Sequence, residues 1–246
     1  MTPFISVLLP TRKRTQLVQT SLATLLDNSA VPGSIEILIA YDEDDNESDV
    51  YFQSQQWQDY LARWSASAQV HRCPSWGYYH LNNYINLLAH ASLGEWILFW
   101  NDDAVMLTAG WDDAVREHRD HLGVLHMPCT NVAKHTIFPL IPRTWLDIFP
   151  VVSMHASSDS WIQDICKHAA AKLTIPVQVM HDRFSETGNN NDETYQQRRY
   201  DKRGWKNAAC VAERRRWATH LATVRRTGVY EPMLGPFPNL QNSNDS

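Results

Sequence analysis

Gly94-Glu95-Trp96-Ile97-Leu98-Phe99-Trp100-Asn101-Asp102-Asp103-Ala104 is an apolar run that stops abruptly in acidic residues. Glycine breaks the preceding segment, five large apolar side chains follow, and a polar triplet closes the run. A short continuous apolar run of this kind suits a strand buried on both faces. Its carboxylates then lie at the C-terminal edge of the sheet, where open α/β sheets bind ligands. Carboxylates at that edge can also hold a divalent metal against a phosphate.

Working back toward the N-terminus, the same grammar repeats. Ile5-Ser6-Val7-Leu8-Leu9-Pro10 is β-rich and ends at a proline, and residues 15–26 carry apolar side chains at 18, 22, 25 and 26, a helical spacing. Pro32-Gly33 marks a turn. A second strand runs over 35–40 and ends at Tyr41-Asp42-Glu43-Asp44-Asp45. Residues 50–64 read as one helix with Trp57, Tyr60, Leu61 and Trp64 on one face. Gln69-Val70-His71 reads as a third strand and residues 81–91 as a helix. Strand and helix thus alternate up to the quoted stretch. The fold class is α/β, a Rossmann-like, mainly parallel sheet flanked by helices. Three polar clusters fall on its C-terminal rim: Thr11-Arg12-Lys13-Arg14, Asp42 to Asp45, and Asn101-Asp102-Asp103.

Beyond the quoted stretch the pattern loosens. Pro128, Pro139, Pro142 and Pro150 punctuate an irregular half. Ser157-Ser158-Asp159 reads as an N-cap before a helix. Residues 175–180 read as a strand leading into His181-Asp182-Arg183, and the polar, turn-rich 185–194 as a mobile loop. We expect a main domain over 1–200, its nucleotide-binding half about 1–110 and its acceptor half about 111–200. A basic helical extension over 201–234 and a flexible tail over 235–246 would follow.

Bulk properties narrow the class. The 246 residues are 43% hydrophobic and 20% charged, an ordinary globular composition with ample core. Cys73, Cys129, Cys166 and Cys210 form no CxxC pair, so neither a zinc knuckle nor a redox motif is indicated. They read as small buried hydrophobes in a reducing compartment. No apolar run approaches the roughly 18–20 residues that span a bilayer. Met1-Thr2-Pro3-Phe4 leads straight into a strand without a basic leader, so the expected location is the cytoplasm. The net charge of −5 conceals an asymmetry: residues 198–226 carry ten Lys/Arg against Asp201 and Glu213, a net +8, leaving −13 elsewhere. Such a block suits either a polyanionic partner or a solvated face that balances an acidic body.

Taken together, Ser6-Val7-Leu8-Leu9-Pro10-Thr11-Arg12, the strand ending in Asp42, Asn101-Asp102-Asp103, Asp159 and His181 resemble the ordered landmarks of family 2 glycosyltransferases with the GT-A fold. The resemblance spans about residues 4–200. It implies a metal-dependent, inverting transfer from a UDP-sugar to an acceptor hydroxyl, with Mn2+ or Mg2+ neutralising the departing diphosphate. By resemblance, Asp103 and His181 are the metal ligands. Asn101, which stands where the family has an acidic residue, and Asp102 contact the donor; Asp102 could compensate for the missing charge. Asp42 matches the residue that reads the uracil edge, with Asp44 and Asp45 as alternatives. Pro10, Thr11, Arg12, Arg14 and Arg183 frame the nucleotide and its phosphates. Gly77, Asn82 and Asn83 fall in the segment that closes over base and ribose. Asp159, 56 residues after Asp103, matches the general base, a role that coexists with capping; Asp164 is the alternative. Gln196-Gln197-Arg198-Arg199-Tyr200 is similar to the Gln-x-x-Arg-Trp motif of processive members, with Tyr for Trp, which implies single transfers.

Two acceptors stay open. A hydroxymethylated base in DNA would use Arg214, Arg215 and Arg216 on phosphates and need the base flipped out. A saccharide or lipid-linked acceptor of envelope polysaccharide is the other. Two further classes compete. A nucleotidyltransferase would carry a Gly-rich loop with Lys after the first strand, where this chain reads Pro10-Thr11-Arg12. A non-catalytic nucleotide-sugar binding module would follow if Asn101 abolished metal binding.

Overall fold

The computed structural model describes residues 2–130, 134–181 and 205–235. Within them, strands β1 (Ile5–Pro10), β2 (Ile35–Asp42), β3 (Ser67–Cys73), β4 (Trp96–Phe99), β6 (Val124–His126), β7 (Leu140–Pro142) and β8 (Lys172–Thr174) form one seven-stranded sheet. Its order is β3-β2-β1-β4-β7-β6-β8. The β3-β2-β1-β4 half is parallel, with Ile5 opposite Ile35 and Trp96. β7 inserts antiparallel between β4 and β6, and β6 pairs in parallel with β8. Two short strands stand apart: β5 (Ala104–Met106) pairs antiparallel with β9 (Val179–His181).

Strand periodicity sorts the core into two layers. Val7, Leu9, Ile37, Ile39, Trp96, Leu98 and Trp100 enter one layer, which helices α1 (Thr15–Asp27) and α3 (Gln55–Ala62) cover. Leu8, Leu38, Ala40, Ile97 and Phe99 enter the other, covered by α4 (Leu81–Ala91), α7 (Ser158–His168) and α8 (Ala208–Thr227). Successive strand side chains point to opposite faces, so burial on both faces gives an unbroken apolar run. Seven of the ten tryptophans are essentially inaccessible, including Trp96 and Trp100 of the quoted stretch. They belong to the core. All four cysteines are buried and unpaired by disulfides, and burial pushes the Cys166 thiol up to about 12.

One buried carboxylate ties the N-terminal edge of the sheet together. Glu36 accepts from Ser6 Oγ at 2.6 Å, Gln69 Nε2 at 2.8 Å and the Leu93 N–H at 3.0 Å. Gly94 completes this corner by donating its N–H to Ser6 Oγ at 2.8 Å. A Cβ on Gly94 would meet the Ser6 backbone nitrogen at 2.7 Å, so the glycine that opens the quoted stretch permits close backbone approach.

Several sequence expectations shift. The helix expected over 50–64 is two, α2 (Asn46–Phe52) and α3, because Ser54 turns the chain and its Oγ accepts from the Trp57 N–H. The strand expected over 175–180 is confined to Val179–His181. Among the described residues the other α-helices are α5 (Trp111–Arg116) and α6 (Trp145–Ile148). Helix α8 docks on α7: Trp217 stacks on Phe149 at 4.3 Å and meets Trp161 edge-on at 5.3 Å. Among the described residues no helix is long and apolar enough to cross a membrane. The expected loop over 185–194, the 196–200 motif, Arg183, and the tail beyond Gly235 lie outside the described residues.

Candidate active site

The C-terminal ends of β1, β2 and β4 gather the three polar clusters, as strand direction requires. The loop after β1 is stapled from two sides. Thr11 Oγ1 donates to Asp102 at 2.9 Å, and Arg14 donates to the other oxygen of the same carboxylate at 2.9 Å. Arg12 bridges to Asp42 at 2.6 Å and makes a two-pronged contact to Asp44 at 2.5 and 2.8 Å. Lys13, at a φ of 52°, directs its N–H to Asp45 at 2.6 Å. A side chain in this left-handed region is uncommon, and here the carboxylate acceptor holds it. Pro10 ends β1 in register with Ala40.

These contacts separate the acidic residues by role. Asp102 is 6% exposed and its carboxyl is pushed upward by burial, with Arg14 opposing the shift. It is turned into the Thr11–Arg14 staple, which corrects the expectation that it could supply the charge Asn101 lacks. Asp45 is fully buried, caps α2 through the Ser48 N–H and also accepts from Ser48 Oγ, so it is withdrawn as an alternative base reader. Asp44 is exposed, and Arg12 followed by Ser75 holds its carboxyl well below the usual range. Asp42 is 4% exposed and sits between Arg12 and the hydroxyl of Tyr84, which donates to it.

Tyr84 is the residue sequence reasoning missed. Its hydroxyl also accepts the Gly77 N–H at 3.0 Å, and its ring meets Trp76 edge-on. Gly77 takes a φ of 70°, which suits glycine at the entrance to the turn over Tyr78–His80. Asn82, the second residue of α4, is buried beside this turn. The segment predicted to close over a base is thus tied to Asp42 through one phenol. A tyrosine on the buried face of a helix has no sequence signal that separates this role from packing.

Asp103 and His181 come together across 78 residues. The β5–β9 register sets Ala104 opposite His181, which brings His181 Nε2 to 3.0 Å from Asp103 Oδ1. Asn101 Nδ2 lies 3.4 Å from the same nitrogen. Phe138 packs edge-on against the imidazole at 5.3 Å. Among the described residues no group of three or more His, Cys, Asp or Glu gathers as a metal cage. One carboxylate and one imidazole do fit a divalent ion that completes its shell with phosphate oxygens and water.

Asp159 lies in the first turn of α7. Its Oδ1 accepts the Ser160 N–H at 2.7 Å, and its Oδ2 lies 3.2 Å from His135 Nε2. Ser157 precedes the helix without a side-chain capping bond, unlike the capped start expected. His135 and Phe138 are three residues apart, a reach of roughly 10 Å at most. The Asp159 contact and the His181 contact therefore share one short segment. Asp164 is otherwise engaged, by Arg214 Nε at 2.6 Å and His168 Nε2 at 3.3 Å.

The triple-arginine expectation needs correction. Arg214 is 4% exposed, pairs with Asp164, and stacks its guanidinium on Trp205 at 3.8 Å. Arg216 forks onto Glu213 and donates to the Leu234 carbonyl at 3.1 Å. Arg215 meets His168 Nδ1 at 2.7 Å. Arg225 caps the end of α7 through the Ala169 and Ala170 carbonyls. A charge count cannot distinguish arginines that bind outward from those that join two helices. Arg214→Ala is expected to destabilise the fold by about 2–3 kcal/mol, because it strands a partly buried carboxylate. Arg215→Ala, at the exposed contact, should stay within roughly 0.5 kcal/mol. Urea denaturation of both variants measures the difference.

No protein-family model matches this chain, and no curated protein matches it. Solved structures do. A fragment of S. aureus TarS, residues 1–349, superposes with a TM-score of 0.50 at 15% identity, covering 73% of this chain and 58% of that one. The same fragment in complex with UDP gives 0.50 at 14% identity. The mannosyltransferase PcManGT from Pyrobaculum calidifontis, in complex with GDP-Man and Mn2+, gives 0.55 at 15% identity, covering 94% of this chain and 66% of its own. The chain thus spans 58% of the TarS fragment and 66% of the mannosyltransferase. At such identities the likeness is one of fold, and the mixed α/β architecture is similar to glycosyltransferase folds.

Proposed function

We propose that this protein is a metal-dependent glycosyltransferase that moves a sugar from a UDP-sugar to an acceptor hydroxyl with inversion. The observation that carries the reading is the Asp103–His181 pair, which adjoins the strand-end rim holding Asp42, Arg12 and Gly77. A nucleotide requires both halves of that rim: polar groups for the base and a cationic site for the diphosphate. The fold shared with structures that hold UDP, or GDP-Man and Mn2+, supports it.

In this reading Asp42, with Tyr84 behind it, faces the base. Arg12 and Arg14 lie along the path to the phosphates, and Asp103 and His181 hold a divalent ion. When bound, that ion neutralises charge on the departing diphosphate. Asp159 takes the proton of the acceptor hydroxyl as its oxygen forms the new bond to the anomeric carbon from the far side. The bond from that carbon to the diphosphate oxygen breaks, and its electron pair leaves with UDP.

The acceptor reading shifts toward a saccharide or lipid-linked hydroxyl. The basic block that would track DNA phosphates spends Arg214, Arg216 and Arg225 on contacts within the chain. This reading sets the enzyme in the cytoplasm, a reducing compartment that four buried cysteines without a disulfide suit. The test is a screen of nucleotide-sugar donors for slow hydrolysis, with and without manganese. UDP release from one donor, dependent on the ion, supports the reading. UDP binding without turnover of any donor would favour a binding module.

A further inference from the structure

The bonds around Asp159 determine which nitrogen of its neighbour carries a proton. His135 Nε2 lies 3.2 Å from Asp159 Oδ2, and His135 Nδ1 lies 2.7 Å from the Gln163 side-chain nitrogen. The orientation of that amide is set elsewhere. Gln163 Oε1 accepts the Thr136 backbone N–H at 2.6 Å and Lys172 Nζ at 3.2 Å. Both are obligatory donors, so the oxygen must face them and the NH2 must face the imidazole. An amide NH2 can only donate. Nδ1 therefore accepts, and the single N–H of the neutral ring sits on Nε2, which faces Asp159 Oδ2 at 3.2 Å and, more distantly, Ser160 Oγ at 3.4 Å. A second proton, on Nδ1, would oppose the amide hydrogens.

We propose that His135 is a positioning residue for Asp159, held as the neutral Nε2–H tautomer by the Gln163 amide. This rests on the reading of Asp159 as the general base. With the Ser160 N–H on Oδ1 and the His135 N–H on Oδ2, both carboxylate oxygens are oriented, and each keeps lone-pair capacity for the acceptor's proton. The polarity is the reverse of a Ser–His–Asp triad, in which a carboxylate orients a histidine base. Here the imidazole's lone pair is engaged by Gln163, so the histidine is not the base.

Long-range proton–nitrogen NMR of the 15N-histidine-labelled protein reads the tautomer directly. In the wild type at neutral pH, His135 should show an unprotonated Nδ1 and a protonated Nε2. Gln163→Glu keeps an acceptor for the Thr136 N–H but removes the donor, and should move the proton to Nδ1 or charge the ring. His135→Phe should lower kcat by roughly 10- to 100-fold through misplacement of the base, with the donor KM within about two-fold. His135→Gln, whose amide can donate to Asp159, should recover most of that loss. An Nδ1–H ring or an imidazolium in the wild type overturns the proposal. So does an unchanged kcat in His135→Phe while Asp159→Asn is inactive, and the base reading then stands. If Asp159→Asn is itself fully active, the base reading fails and takes the role of His135 with it. Which variant is silent separates the two failures.

Discussion

Asp103→Ala is expected to bring the manganese-dependent part of UDP affinity down by on the order of 10²-fold or more, and to remove nearly all turnover. Asp103 is the only carboxylate of the Asn101–Asp103 triplet turned toward His181. Asp102, next in the chain, is committed to Thr11 and Arg14. No neighbour in the triplet can take over its charge. Calorimetric titration of UDP with and without manganese separates the ion-dependent part from the rest, and a factor of 10² is about 2.7 kcal/mol. Asp103→Asn should behave like the alanine variant, since an amide oxygen carries no charge to balance the ion. His181→Ala should move in the same direction. A folded Asp103→Ala protein with unchanged manganese-dependent UDP affinity would remove this residue from the metal site.

Asp159→Asn is expected to slow transfer by on the order of 10²–10⁴ while leaving UDP and manganese binding intact. Asparagine keeps the size of the side chain and an oxygen that can accept the Ser160 N–H, so the start of α7 should survive. What it loses is the ability to take a proton. Asp164, the alternative one turn deeper, is paired with the buried Arg214. Asp164→Asn should therefore lower thermal stability more than the rate. Single-turnover kinetics with a saturating donor measure the chemical step; turnover within a few-fold of wild type in Asp159→Asn would reduce this residue to a helix-start carboxylate.

These two residues illustrate what a sequence can carry. Asp103 stands out because the apolar run before it marks a buried strand and so locates its end. Asp159 stands out only by its place in a familiar order of landmarks, since an acidic residue in a first helical turn is ordinary. The Asn101-Asp102-Asp103 triplet exposes the limit. Successive residues of similar chemistry face different neighbours, and which one meets His181 depends on backbone turns that spacing does not report. The same limit applies to Asp42, Asp44 and Asp45: one buried against a tyrosine, one exposed against an arginine, one capping a helix.

The alternation of strands and helices in the first half, the doubly buried strands and the gathering of polar clusters at their C-terminal ends are properties of local sequence. Side-chain periodicity and strand direction determine them, and both act over a few residues. The antiparallel β7 between β4 and β6, the β5–β9 pairing that delivers His181 to Asp103, and the Tyr84 link from Asp42 to Gly77 were decided by the tertiary structure alone. So was the fate of the basic block, where Arg214 finds Asp164 across 50 residues. Register and ion pairing between distant segments depend on how whole layers pack. A composition or a helical spacing reports that a charge exists, and only packing determines which opposite charge lies beside it.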